Sequence, residues 1–546
     1  MRTGNRSVLS GLADWLCNAG NAKGRRFRPI RGTARGVAYR RVVISRVSSF
    51  VLQGGRAELC RIEVDLSGQG LPTMGIVGLP DAAVRESAER VRTAIRNAGF
   101  TWPRSRLTVN LAPADLRKEG PVYDLPIAAG VLACSGRLRS EVDGGRRLEA
   151  WPMAGELALD GSVRPVKGIV ALAELAARTG AEGLVVAAAS VEEVRLVSDL
   201  PVIGIEHLQD LARFLDGEEP ALTFQPETEL PAPVVAPPIT VDLAEVRGQS
   251  NAKRAIEIAA VGRHNVLLIG PPGCGKTLLA RALADLLPPL DRAEAIEYQT
   301  IRAAAGLPFE LDRFHRPPFR SPHHTCSPAA LVGGGSTPRP GEVSLAHHGV
   351  LMLDELPEFS KASIDALREP LEDGVVTVSR VAGSTRFPAR SIVIGAMNVT
   401  RDGGNVSEYA GAAARRYLGR IGRPILDRFD LHVPMTPLPI RRFLEGPDGA
   451  TTIVVRERVR LAREFGALRG LGPNASLAGT TLEEACGMSQ AVLGNLVSMV
   501  EDLGLSARAF DRIRRLARSI ADLDEAVVIH SHHLVEAVSF RILDRD

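Results

Sequence analysis

Asn265-Val-Leu-Leu-Ile-Gly270-Pro271-Pro272-Gly273-Cys274-Gly275-Lys276-Thr277 reads as an apolar strand, a glycine-rich loop and the start of a helix-forming run that continues from Leu278. Gly270, Gly273 and Gly275 let backbone N–H groups converge on phosphate oxygens without interference from a Cβ, and the following helix adds the positive end of its dipole. Pro271, Pro272 and Cys274 complete the loop. Lys276 is placed to reach the β and γ phosphates of a nucleotide, and Thr277 to offer its hydroxyl to Mg2+. The strand before and the helix after make the pattern specific.

Working outward, Gly349-Val-Leu-Met-Leu-Asp354-Glu355 is a second apolar strand, ending 78 residues beyond Lys276 in two carboxylates. Asp354 suits the Mg2+ coordination shell, and Glu355 suits positioning of an attacking water. A buried strand that merely ends in surface acids is the alternative, weakened by the phosphate loop in the same chain. A third strand, Ser391-Ile-Val-Ile-Gly-Ala-Met-Asn398, ends in an amide that can bond the γ-phosphate or the attacking water, or else close an Asx turn. Arg428, in Pro424-Ile-Leu-Asp427-Arg428-Phe-Asp430, and Arg508, in Leu505-Ser-Ala-Arg508-Ala, are candidates for stabilising transition-state charge and sensing nucleotide. Spacing leaves open that Arg428 pairs with Asp427 or Asp430 and that Arg508 is a solvated helix charge.

Between Asp216 and Thr240, Pro220, Pro226, Pro231, Pro233, Pro237 and Pro238 alternate with Glu and small residues, which predicts an extended connector. It separates an N-terminal unit over 45–215 from a larger unit beginning near 240. In the first, strand-like alternation around Arg61 to Leu66 and Arg106 to Leu111 mixes with helical stretches at Ala82 to Ala98 and Ile169 to Thr179. The second opens with a helical stretch, Asn251 to Ala260, alternates strand and helix to about Pro434, and is almost wholly helical from Thr451.

At 546 residues, 45% hydrophobic and 24% charged, with 53 Gly and 36 Pro, the chain has the composition of a soluble globular protein of several domains. Disordered, collagenous and disulfide-scaffold classes are excluded, and no apolar run approaches the roughly 18 residues of a membrane span. Residues 1–41 hold ten Lys and Arg against Asp14, a local net of +9, so of the chain's +4 the remainder carries −5. That stretch reads as a disordered extension, a nucleic-acid arm or a targeting peptide. Cys17, Cys60, Cys134, Cys274, Cys326 and Cys486 form no Cys-x-x-Cys pair, which points to reduced thiols and a cytoplasmic setting.

Five further stretches carry a family resemblance: Gly75-Ile-Val-Gly-Leu-Pro-Asp81-Ala-Ala-Val-Arg85-Glu-Ser, Asp115-Leu-Arg-Lys-Glu119-Gly120, Phe319-Arg-Ser-Pro-His323-His324-Thr, Pro338-Arg-Pro-Gly-Glu342-Val-Ser-Leu-Ala-His347 and Leu371-Glu-Asp-Gly374. Over about nine-tenths of its length the chain resembles the YifB/ComM group of magnesium-chelatase-like AAA+ ATPases. The resemblance implies an α/β protein in three parts: a Lon-protease-like (ribosomal S5 domain 2-like) α+β N-terminal domain, an AAA+ P-loop NTPase α/β core and a helical C-terminal lid. The corresponding bounds are 1–44 for the basic extension, 45–215, the linker 216–240, 241–440 for the core and 441–546 for the helical domain. It implies ATP and Mg2+ as cofactors, with Lys276, Thr277, Asp354, Glu355 and Asn398 in the roles argued above, Arg428 as arginine finger and Arg508 as lid sensor. It also implies a hexameric ring, a pore-facing hairpin around Phe319 to Glu342 and a second at Val376 to Phe387 that includes Arg380 and Arg386.

Within that group, ComM-type proteins are helicases that drive branch migration in natural transformation, so the resemblance makes single-stranded or branched DNA the expected partner. A chelatase-type ATPase that remodels a partner protein is the alternative. Arg456, Arg458, Arg460 and Arg463, and Arg512, Arg514, Arg515 and Arg518, either contact phosphates or form solvated helix faces beside Glu457, Glu464 and Asp511. Lon chemistry needs a Ser nucleophile and a Lys base. Lys118-Glu-Gly120-Pro121-Val122-Tyr-Asp124 has no serine at the nucleophile's place, Val170 stands at the base's, and Lys167 lies three residues early, so proteolysis is not expected. Asn398 is followed by no cysteine before Cys486, which removes the small cysteine cluster of many relatives. The pairs His323/His324, His347/His348 and His532/His533, with Cys326 near the first, lack metal-ligand spacing.

Overall fold

Val266–Ile269, Val350–Leu353 and Ile392–Met397 are buried at every residue and lie side by side, as apolar runs do when a sheet is covered on both faces. They are the centre of a five-stranded parallel sheet in the order Phe319–Arg320, Val350–Leu353, Ile392–Met397, Val266–Ile269, Leu431–Pro434. Successive side chains alternate between two cores. Val266, Leu268, Val350 and Met352 pack under the helices Ser250–Gly262 and Lys276–Leu286, while Leu267, Ile269, Leu351 and Leu353 pack with Leu331, Phe359 and Phe387.

The computed structural model describes residues 44–541 and 543, apart from 54–55, 68–72, 137–147, 219–222, 225–237, 336–337, 381–382, 400–415, 440, 442–443 and 445. The basic stretch 1–41 and most of the proline-rich connector fall outside the described residues.

The N-terminal lobe holds two four-stranded sheets. In the first, Arg56–Ser67 pairs antiparallel with Ile44–Gln53 and Arg106–Ala112, and Met74–Val77 joins Arg106–Ala112 in parallel. The helix Ala82–Asn97 is capped by Asp81, whose Oδ1 accepts the Val84 N–H at 2.7 Å, and it buries Val84, Val91, Ala94 and Ile95. The helix Asp124–Cys134 is apolar all round and buried along almost its whole length. The second sheet runs Thr223–Phe224, Val202–Ile205, Leu184–Ala187, Met153–Ala154. Its first strand lies inside the connector predicted to be purely extended, because Thr223 and Phe224 sit between prolines and keep the N–H groups needed to pair with Val202–Ile205.

The connector does not leave two independent bodies, since Val43–Asp546 forms one compact unit. The helix Arg292–Ala304, which follows the phosphate-loop helix, buries Ala295 and Tyr298 in the N-terminal core beside Leu290 and Phe314. Arg292 clamps Asp199 with two bonds of 2.8 and 3.1 Å, and Lys167 donates to the Gly306 carbonyl at 2.6 Å. Lys167 is thus a tether between the halves and does not stand in for a protease base.

The segment expected to form one hairpin from Phe319 to Glu342 divides into several elements. Phe319–Arg320 is the edge strand of the parallel sheet, Pro328–Val332 is a short helix, and among the described residues only Gly333–Gly334 with Arg339–Pro340 pair antiparallel. The second hairpin forms as expected, Val375–Arg380 against Gly383–Pro388. Beyond the sheet, the helices Thr452–Ala467, Gly479–Cys486, Gln490–Asp502, Ala507–Leu523 and Ser531–Ser539 pack into the core shared with Ser250–Gly262. Among the described residues no helix is long and apolar enough to cross a membrane.

Candidate nucleotide site

The register of the sheet brings the candidate residues together. Ile269 stands opposite Met397, so the phosphate loop and Asn398 emerge at the same carboxyl edge, where open α/β sheets bind ligands. Two of the three loop glycines are in the left-handed region, Gly273 at φ +78° and Gly275 at +97°, and Gly275 caps the helix that starts at Lys276. Gly270 is required for a different reason: a Cβ there would lie 2.5 Å from the Met435 carbonyl oxygen.

Lys276 is buried, and its ammonium has a partner for each N–H: the carbonyls of Gly270 at 2.7 Å and Pro271 at 3.0 Å, and Oδ1 of Asn398 at 3.2 Å. Burial lowers its pKa, against the opposing pull of Cys274, Asp354 and Glu355. Thr277 Oγ1 lies 3.4 Å from Asp354 Oδ2, which puts the two expected Mg2+ ligands at one point. The cradle, the lysine and this Thr/Asp pair fit a nucleoside triphosphate with its Mg2+. Glu355 follows with φ +51°, an uncommon conformation for a residue with a side chain, and its carboxylate lies 3.0 Å from His324 Nδ1.

The two arginines stand apart from this cluster. Arg428 donates to the Pro424 carbonyl and pairs with Glu372, so neither neighbouring aspartate is its partner. Asp427 lies 3.6 Å from Arg508, and Asp430 is held by His264 and Arg512. Among the described residues neither Arg428 nor Arg508 touches the phosphate loop of its own chain, and the Arg508 side chain is 72% exposed.

The other arginine clusters are occupied internally. Arg456 donates to the Asp285 carbonyl, Arg458 pairs with Glu257, Arg460 with Glu457 and Glu464, and Arg463 reaches the Ala260 carbonyl. Arg512 pairs with Asp430, Arg514 with Asp511, Arg515 bonds the Leu477 carbonyl, and Arg518 is fully buried on Asp522. Each of these eight arginines therefore has a partner within the chain, although Arg458 and Arg460 stay about half exposed.

Three segments of this chain match magnesium-chelatase families: 62–190 that of "Subunit ChlI of Mg-chelatase", 242–442 that of "Magnesium chelatase, subunit ChlI", and 449–541 that of its C-terminal part. Protein YifB of Salmonella typhimurium is 43% identical over 497 residues, 90% of this chain and 96% of its own. Competence protein ComM of Haemophilus influenzae is 41% identical over 508 residues, 92% of this chain and 98% of its own. The chain belongs to the YifB/ComM family of magnesium-chelatase-like proteins. A more distant likeness, 26% over 49% of this chain, is to the magnesium-chelatase 38 kDa subunit of Chlorobaculum parvum, 80% of whose length is covered. The chelatase group is one of AAA+ ATPases, so membership of the YifB/ComM family supports an ATPase and implies use of ATP and Mg2+.

The structure also gathers residues that spacing could not. Glu297, on the Arg292–Ala304 helix, meets His347 and His348 immediately before the Val350–Leu353 strand, its Oε2 3.1 and 2.9 Å from their Nε2 atoms. His347 Nδ1 accepts the Arg390 N–H at 2.9 Å, so the ring proton of the neutral imidazole is on Nε2, the nitrogen that faces Glu297. His533 repeats the arrangement, with Nδ1 accepting the His530 N–H and Nε2 facing Asp524. No local sequence pattern marks Glu297 as the partner, because it lies on a helix facing two lobes at once.

Proposed function

We propose that this protein is an ATP-hydrolysing AAA+ motor that acts on DNA, working as a ring of copies, six by the family resemblance, in a ComM-like role in recombination or natural transformation. Lys276 and the loop N–H groups bind the phosphates, Thr277 and Asp354 would hold Mg2+, Glu355 orients water and Asn398 positions Lys276. Mg2+, when bound, adds charge neutralisation at the transferred phosphoryl group. Arg428 acts across the boundary between copies and Arg508 reports nucleotide state from the helical lid.

The observation that carries the DNA reading is the hairpin Val375–Arg380/Gly383–Pro388. Thr377 pairs with Arg386 and Ser379 with Ser384, which puts three hydroxyls and a guanidinium on one exposed face while Val376, Val378 and Phe387 are buried on the other. Hydroxyl and arginine groups are the usual contacts to phosphate and sugar. Arg386 has no ion-pair partner among the described residues. The occupied helix arginines favour the alternative, a chelatase-type ATPase that remodels a partner protein. The N-terminal lobe suits a Lon-like scaffold without protease chemistry, since Val122, Tyr123 and Val170 are buried apolar groups in its core.

ATP turnover without DNA, with single strands, duplex and a branched junction, each at two salt concentrations, separates these readings. Stimulation by single-stranded or branched DNA that weakens with salt, and that Arg386→Ala removes without changing the DNA-free rate, is the expected outcome. Equal turnover with every DNA would discard the DNA reading in favour of protein remodelling. Absence of turnover would discard the ATPase.

A further inference from the structure

Asn265 stands just ahead of the Val266–Ile269 strand, whose far end is the phosphate loop. Main-chain pairing of that strand begins at Val266, opposite Ile394 on one side and Leu431 on the other. Asn265 carries the pairing one step further with its side chain: Oδ1 accepts the Val393 N–H at 2.8 Å, and Nδ2 donates to the Arg428 carbonyl at 3.1 Å. The amide serves both partners in one orientation only, because the N–H needs an acceptor and the carbonyl a donor. The Asn265 carbonyl accepts the N–H groups of Asp430 and Leu431 at 3.0 and 3.1 Å. One residue thus joins the strand of the phosphate loop, the strand that leads to Asn398 and the segment that carries Arg428.

The residues after Arg428 have further anchors. The buried Arg541 donates to the carbonyls of Phe429 and Asp430 at 2.6 and 2.9 Å. The Asp430 carboxylate lies 3.1 Å from His264 Nδ1, and His264 Nε2 meets Ser519 Oγ of the Ala507–Leu523 helix at 2.8 Å. Arg428 itself donates its N–H to the Ile425 carbonyl, within its own turn. Among the described residues, the bond that ties the Arg428 main chain to the sheet is the one from Asn265 Nδ2. Its guanidinium rests on the Pro424 carbonyl and on Glu372, whose side chain is 63% exposed. An arginine that serves a neighbouring copy has to leave both, and the backbone bond is what then fixes the base of its swing. A neutral hydrogen bond of this kind adds only modestly to folding.

We infer that Asn265 is a positioning residue for Arg428, tying the arginine offered to the neighbouring copy to the strand that bears the chain's own phosphate loop. The inference rests on the reading of Arg428 as an arginine finger. A displacement of about 1 Å in such a group costs up to about 100-fold in rate.

The test uses the full-length chain. Asn265→Asp keeps an acceptor for the Val393 N–H and removes the donor to the Arg428 carbonyl, so it breaks one bond of the two. Asn265→Ala carries no charge and gives the same test should the carboxylate unsettle the fold. Both are compared with Arg428→Ala and with the double variant Asn265→Asp/Arg428→Ala in thermal melts, fluorescent-nucleotide titrations and steady-state ATP turnover. The expected result is a Tm within about 5 °C of wild type, kcat lowered about 10- to 100-fold, and KM and nucleotide affinity within about 3-fold. The double variant turns over no more slowly than Arg428→Ala alone, because Asn265 acts through that arginine. Mixing Asn265→Asp with Lys276→Ala protein restores part of the rate, since the loop of the first then meets a well-placed arginine from the second. Unchanged kcat in both Asn265 variants overturns the inference. So does a further loss in the double variant, or a defect that Lys276→Ala protein leaves unrepaired while it repairs Arg428→Ala, which would put the fault in the chain's own phosphate loop. An Arg428→Ala protein with wild-type turnover would instead remove the arginine-finger reading, and the inference with it.

Discussion

Lys276 and Asn398, 122 residues apart in sequence, meet at the carboxyl edge of the parallel sheet with Nζ 3.2 Å from Oδ1. The amide oxygen therefore accepts from the ammonium proposed above to bind phosphate. Lys276→Ala is expected to abolish nucleotide binding, whereas Asn398→Ala should retain binding and lose about 100-fold in turnover, the scale of one lost preorganised contact. Titration with a fluorescent nucleotide beside steady-state hydrolysis distinguishes the two. Equal loss of affinity in both variants would place Asn398 in ground-state binding.

Glu355→Gln keeps the size and the backbone of the residue while removing the carboxylate. Bound ATP should then persist uncleaved, and nucleotide extracted from the purified variant after incubation should be mostly triphosphate. Recovery of diphosphate at the wild-type rate would move the water-orienting role to another group.

Arg428 is held by Glu372 and the Pro424 carbonyl, away from its own phosphate loop. If it serves a neighbouring copy, Arg428→Ala lowers turnover by about 10³-fold or more. Mixing that variant with Lys276→Ala should restore part of the rate, because some interfaces then combine an intact loop with an intact arginine. Mixtures that exchange subunits yet remain inactive would count against action between copies.

Burial pushes the His347 imidazole down to about 4, and His432 is likewise lowered well below its usual range by burial. A histidine lowered on folding is neutral in the native state and protonated when unfolded below about pH 6.5, so its stabilisation is complete above that pH and is lost as pH falls toward the folded value. His347 alone should remove up to about 2 kcal/mol between pH 7 and 5. Glu297 acts in the same direction at lower pH, its carboxyl being held down by the hydrogen bonds from His347 and His348. Thermal melts at pH 7, 6 and 5 should show Tm falling, with a shallower slope in His347→Gln. A slope unchanged by that substitution would remove His347 as its source.

Ala295 and Tyr298, on the ATPase side of the connector, are buried in the N-terminal core. A fragment beginning at residue 241 should therefore expose an apolar strip, aggregate on purification and melt at lower temperature than the whole chain. Replacing Tyr298 by Ala in the intact protein should cost about 3 kcal/mol in denaturant unfolding. A fragment that is monodisperse and as stable as the whole chain would show the two halves to be independent.

Apolar runs, glycines and chain-local periodicity were enough to place Val266–Ile269, Val350–Leu353 and Ile392–Met397, the phosphate loop, and helices such as Ile169–Thr179, because strand burial and helix capping are decided within a few residues. The residues at the ends of those strands were legible for the same reason, since parallel strands that share an edge deliver their termini to one place. What the tertiary structure alone decided is which side chains meet across that edge. Arg428 faces Glu372 and passes over the adjacent Asp427, His324 reaches Glu355, Glu297 answers His347, and Arg456 and Arg463 reach the Asp285 and Ala260 carbonyls. A guanidinium or imidazole finds whichever carboxylate the packing of distant elements brings within 4 Å. Sequence distance carries no information about that choice.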